Sequence, residues 1–80
     1  ADPVSSGVSL VSRDDWLRRL TDNERYILAT SNATAVINLR NYVNASPDIN
    51  PQATGLGSIL ANVQNEIGLS QARIGELTAP

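Results

Sequence analysis

Apolar residues recur at helical spacing in short blocks along this chain, and most blocks open on a residue suited to cap a helix. Ser12-Arg13-Asp14-Asp15 places a hydroxyl at a cap and two acids in the first turn, where they meet free N–H groups and the positive end of the helix dipole. Trp16, Leu17 and Leu20 then form one apolar edge of a short helix. Thr21-Asp22-Asn23-Glu24 is a capping box, in which Thr and Glu each accept from the other's backbone N–H. It starts a second helix carrying Tyr26, Ile27 and Leu28. Two caps so close together predict a sharp corner at Leu20-Thr21, and the polar run Thr30-Ser31-Asn32 predicts a break. A third helix over residues 33–45 puts Val36, Leu39 and Val43 on one face, with Ile37 beside them. Its wet side carries Asn38, Arg40, Asn41 and Asn44. Ser46-Pro47 ends it, because the residue before a proline is pushed out of the helical region.

Asp48-Ile49-Asn50-Pro51 reads as a turn leading into a helix, with Asn50 as cap and Pro51 at the first helical position. The fourth helix is the most amphipathic: Leu56, Ile59, Leu60, Val63 and Ile67 make a single stripe, expected to be internal core. Gly55 and Gly57 weaken its first turns by about 1 kcal/mol each relative to Ala, and suit close approach of another backbone. Gly68 falls where a left-handed C-terminal cap is expected, and Ser70 caps a last short helix with Ile74 and Leu77. At the start of the chain Val8 and Leu10 alternate with serines, which suits an extended segment, while Pro3 and Gly7 argue against helix. The predicted fold is all-α: four to five short helices in a small bundle over residues 12–80, preceded by an extended N-terminal arm over residues 1–11.

Composition changes this picture in one respect, the need for a partner. Eighty residues make one domain, and a domain of that size buries only about 60–65% of the surface its unfolded chain exposes. Such domains draw extra stability from disulfides, a metal, highly regular packing or another chain. The sequence has no Cys, His, Met, Phe or Lys. That excludes a disulfide or thiolate site and leaves carboxylates as the only strong metal ligands. No spacing resembles a calcium loop, so neither metal nor cofactor is expected. Five Gly with many Ser, Thr and Asn disfavour very regular packing. A partner chain, another copy included, is the favoured stabiliser.

The net charge is −2 and the six Arg are scattered, so no nucleic-acid partner is expected. No apolar run approaches the roughly 18 residues of a membrane span, and no basic segment leads into an apolar stretch as in a signal peptide. The start Ala1-Asp2-Pro3 fits removal of an initiator Met, signal cleavage or a vector-derived terminus equally.

Nucleophilic catalysis needs a base beside the nucleophile, and with no His, Cys or Lys an enzyme is not expected. Asp14 and Asp15 are accounted for by the helix start, and Glu66 and Glu76 by solvation. Gly55-Leu56-Gly57 lacks the strand, third Gly and Lys of a phosphate-binding loop. Arg18-Arg19 suit a carboxylate or phosphate surface, or pairing with Asp14, Asp15 or Asp22. Trp16 reads either as an interface anchor or as the largest core residue. Asn32-Ala33-Thr34 and Asn44-Ala45-Ser46 match the glycosylation pattern, Pro47 disfavouring the second. The candidate interface residues are Val4, Val8, Leu10, Val11, Trp16, Arg18 and Arg19.

Two resemblances bear on function. The order Leu20-Thr21-Asp22-Asn23-Glu24-Arg25, Val43-Asn44-Ala45, Asp48-Ile49-Asn50, Gly55-Leu56, Ile59-Leu60, Ile67-Gly68-Leu69-Ser70 and Arg73-Ile74-Gly75-Glu76-Leu77 spans roughly residues 14–77. It is similar to small helical proteins encoded among the structural genes of tailed bacteriophages. The resemblance implies a non-enzymatic subunit of a virion or its assembly, self-associating or bound to other subunits, in the virion or the host cytoplasm during assembly. A shorter run, Asn41-Tyr42-Val43-Asn44-Ala45-Ser46-Pro47-Asp48-Ile49-Asn50, looks like a segment of secreted actinobacterial haemophore-like proteins. It implies the alternative of a secreted, small helical ligand-binding protein. This chain lacks that family's His and Cys, which leaves Tyr26 and Tyr42 as axial ligands for haem.

Overall fold

The computed structural model describes residues 9–80; Val4, Val8 and most of the expected arm lie outside the described residues. In chain order the elements are β1 (Val11–Ser12), α1 (Arg13–Leu17), α2 (Asp22–Thr30), α3 (Thr34–Asn44), β2 (Asp48–Ile49), α4 (Thr54–Asn62), α5 (Gln64–Ile67) and α6 (Gln71–Leu77). The fold is mostly helical. It has six helices among the described residues, more than the four to five expected, and a two-stranded antiparallel ladder absent from an all-α expectation.

Both early caps form as their chemistry requires. The Ser12 hydroxyl accepts from Asp15 N–H, and Thr21 and Glu24 complete the capping box of α2. Between them the chain turns through Arg18 to Leu20 on short-range bonds, Arg19 N–H to Trp16 O at 3.0 Å and Leu20 N–H to Leu17 O at 3.1 Å. At Ser31 the backbone becomes extended and closes α2 at the predicted break. Val36, Leu39 and Val43 of α3 are buried together, as their spacing requires.

Two boundaries differ from expectation. Pro51 does not open a helix: Asn50 Oδ1 accepts from Gln52 N–H and Asn50 O from Ala53 N–H, closing an isolated turn. Ala53 is extended, and α4 starts only at Thr54. Ile49, expected in a turn, instead pairs with Val11, and its side chain is buried. The long stripe helix is broken at Val63 (φ −106°, ψ 11°), which divides it into α4 and α5. Four of the five stripe residues are internal, Leu56, Leu60 and Val63 fully buried and Ile67 nearly so, while Ile59 is half-buried at the edge of the core. Gly68 ends α5 in the left-handed region at φ 80°, and the buried Leu69 donates back to Gln64 O at 3.0 Å.

α3 packs between α2 and α4, α5 lies on α2, and α6 lies on α4. One core joins them. It centres on Trp16, Leu39, Leu56, Leu60 and Leu77, drawn from α1, α3, α4 and α6.

Candidate functional site

The ladder sets where the N-terminal segment leaves the body. Val11 lies opposite Ile49 and Ser12 opposite Asp48. Arg13 N–H donates to Pro47 O at 2.8 Å and its guanidinium to Asn44 O at 3.4 Å. Val11 is half-buried against the core. Leu10, one residue earlier, is 59% exposed. An apolar side chain that open, beside a pinned backbone, is the first element of the site.

The remaining interface candidates diverge. Trp16 takes the core alternative: it is fully buried, and its indole N–H donates to Leu77 O at 2.8 Å, so it has no surface to offer a partner. Arg18 is exposed and pairs with Asp15 within one turn. Arg19 turns to the chain's end, donating to Glu76 O at 3.2 Å and Ala79 O at 2.7 Å, where a cation suits the free carbonyls after a helix. Arg18 and Arg19 therefore form no common basic patch. Tyr26 is 67% exposed on α2, while the Tyr42 ring packs against Gly55. The backbone approach expected at Gly55 is thus an aromatic contact.

Three guanidiniums have structural work that the sequence did not signal. Arg25 donates to Leu17 O at 3.1 Å and Leu20 O at 2.7 Å, and pairs with Asp22, tying α2 to the end of α1. Arg40, expected on the wet face, reaches back to Leu28 O at 2.8 Å and Ser31 O at 2.7 Å. Arg73 meets both oxygens of Glu24, at 2.8 and 3.1 Å, and also donates to Arg19 O. The Arg73 contact holds the Glu24 carboxyl below the usual carboxylate range, and Glu24 with Glu76 raises the Arg73 guanidinium further. Glu76, expected to be solvated only, pairs with Arg73 at 2.7 Å.

The second element of the site is a concavity of ≈ 380 Å³ where α1, α2 and α3 meet. Leu17, Leu28, Ala29 and Val43 supply apolar walls, and Arg25 and Arg40 supply positive charge. No carboxylate lines it, nor does either tyrosine. A wider and more open depression of ≈ 580 Å³ runs past Pro51, Gly57, Ala61 and Ile74. Among the described residues no cluster of acids could hold a metal ion, and no buried side-chain polar atom lacks a partner. Among the same residues no helix is long and apolar enough to cross a membrane.

Comparison with protein-family models, with curated proteins and with solved structures found no match to this chain.

Proposed function

We propose that this chain is a non-enzymatic structural subunit of a larger assembly, of the tailed-bacteriophage virion kind. Its body would be a small helical bundle, and its N-terminal segment an arm that contacts a neighbouring copy or another subunit. The observation that carries this reading is Leu10, 59% exposed immediately before a backbone pinned by Val11 and Ile49. The ladder gives such an arm a fixed point of departure from the body. The motif order over residues 14–77 supports the virion setting. The structural use of Arg13, Arg19, Arg25, Arg40 and Arg73 supports a role by contact, since the strongest charged groups are occupied in holding backbone. Burial of an apolar arm contributes about 25 cal/mol per Å² removed from water, less the cost of ordering it.

The test is sedimentation velocity across a hundredfold concentration range, on the full chain and on a variant lacking residues 1–10. Cutting before Val11 leaves the ladder intact. The full chain is expected to associate. The shortened chain is expected to keep its far-ultraviolet circular dichroism and to associate at least about tenfold more weakly, as loss of about 1.4 kcal/mol implies. Equal association of both would refute the arm's role, and a full chain that stays monomeric throughout would refute self-association.

A further inference from the structure

We infer that α6 is a latch: it detaches from the body while α2 to α5 stay folded, and its release uncovers Trp16. The inference is independent of the subunit reading above.

The hold on α6 is more polar than apolar. Of its seven residues Leu77 is fully buried, Arg73 and Ile74 are partly buried, and Gln71, Ala72, Gly75 and Glu76 are exposed. By contrast α3 buries Val36, Leu39 and Val43 together. The directional bonds to α6 come from one stretch of chain. The Trp16 indole donates to Leu77 O at 2.8 Å, Arg19 donates to Glu76 O and Ala79 O, and Arg73 meets Glu24 and Arg19 O. Each of these ties runs to residues 16–24, so displacement of α6 breaks them as a set. Segments with few buried apolar contacts open locally, at less cost than the whole fold. A seven-residue helix with a glycine inside it has no stability of its own, so α6 melts as it leaves.

The connection to α5 permits this. Gly68 takes the left-handed conformation at φ 80°, and its N–H and that of Leu69 both donate to Gln64 O, at 2.8 and 3.0 Å. These bonds close α5 on itself, without help from α6. Leu69 is buried with the body, whereas the Ser70 hydroxyl caps α6. The boundary between the fixed part and the latch falls between these two residues. On the fixed side α3 packs between α2 and α4, and α5 lies on α2, contacts in which α6 takes no part.

Trp16 registers the opening from outside α6. It is fully buried, and its indole N–H is occupied by an α6 carbonyl. That proton is released to solvent when Leu77 moves away.

Hydrogen exchange of the full, isotope-labelled chain, read by NMR, tests the latch. The Ile74 and Thr78 amides, bonded to Ser70 O and Ile74 O, and the Trp16 indole are expected to share one level of protection. That level is expected to lie at least about tenfold below the protection of Leu39 and Val43 in α3. Arg40→Met loosens the tie between α3 and α2, and is expected to lower the protection of Leu39 and Val43 while leaving α6 and the indole unchanged. Gly75→Ala adds a Cβ with nothing within 4 Å and favours helix. It is expected to slow exchange of the α6 amides, and of the indole with them, by about two- to fivefold. Equal protection of α6, the indole and α3 would mean that α6 opens only with the whole fold, and would overturn the inference. So would acceleration of α6 by Arg40→Met, or an indole that Gly75→Ala leaves unchanged. Fast exchange in α6 with an indole as protected as α3 also overturns it, since the helix then frays without uncovering Trp16.

Discussion

Arg40 shows how much one side chain can do when it lies against a helix end. Its Nε and Nη2 meet Leu28 O and Ser31 O, at the C-terminus of α2, where carbonyls have no partner within the helix. Arg40→Met keeps an unbranched apolar stem and removes the donors. It is expected to lower stability by about 1–2 kcal/mol, read as a reduced urea midpoint with an unchanged slope. A midpoint within error of the parent would mean that water replaces the guanidinium without loss. Arg40 also marks a limit on what its position in the sequence conveys. Helical spacing puts it on the polar side of α3, and a long side chain can reach from there over a neighbouring helix. Trp16 was ambiguous for a related reason. Spacing identifies an apolar edge but not whether that edge faces the body or a partner, and here the indole N–H found a carbonyl inside.

Elements were legible where a local bond defines them. The Thr21–Glu24 box, the Ser12 and Ser70 caps and the Gly68 terminus each join atoms within a few residues, so the sequence suffices to locate them. The ladder was not legible, because Val11 and Ile49 are separated in sequence by three helices and no local bond links them. The break at Val63 was hidden for another reason: its apolar side chain continues the stripe and is fully buried, so the spacing carries no sign that the backbone leaves the helical region there. The concavity combines residues of three helices and carried no sequence signal at all. Two glycines allow the element scale to be tested with opposite signs. A Cβ at Gly57, within α4, would meet nothing within 4 Å, so Gly57→Ala is expected to stabilise by about 0.5–1 kcal/mol. Gly68 at φ 80° has equal room but a left-handed backbone, so Gly68→Ala is expected to destabilise by about 1 kcal/mol or more. In thermal melts each kcal/mol corresponds to about 4–8 °C for a domain of this size. Shifts in the same direction would show that backbone conformation is not what separates the two sites.

At the scale of the whole molecule, α6 is held to the N-terminal half by contacts far apart in sequence. Leu77 O receives the Trp16 indole, and carbonyls at the end of the chain receive Arg19. Arg73 bridges Glu24 on α2 and the backbone of the α1–α2 corner. Glu24 is nearly buried, and breaking a desolvated pair leaves a charge without its partner, which costs more than the pair contributes over an apolar replacement. The sign of the pH dependence follows. Contact with Arg73 lowers the folded Glu24 below its unfolded value, which is about 4.3. The unfolded chain therefore binds the proton first as pH falls, and stability declines from about pH 5 downward through the folded value. Above that range the contribution is complete, and Arg73 stays charged throughout. Asp15, Asp22 and Glu76 sit in exposed pairs, which contribute little to stability. Urea unfolding at pH 7 and pH 3 is thus expected to show a marked loss of stability in the parent. Glu24→Gln is expected to lose about 1–3 kcal/mol at pH 7 and to show a much smaller difference between the two pH values. If Glu24→Gln kept the full pH dependence, acid would act on another carboxylate, and the Arg73 bridge would be ordinary packing between α6 and α2. If the dependence disappeared with the charge, the Arg73–Glu24 pair would be the source of the acid sensitivity, acting beside the Trp16 and Arg19 contacts that also hold α6.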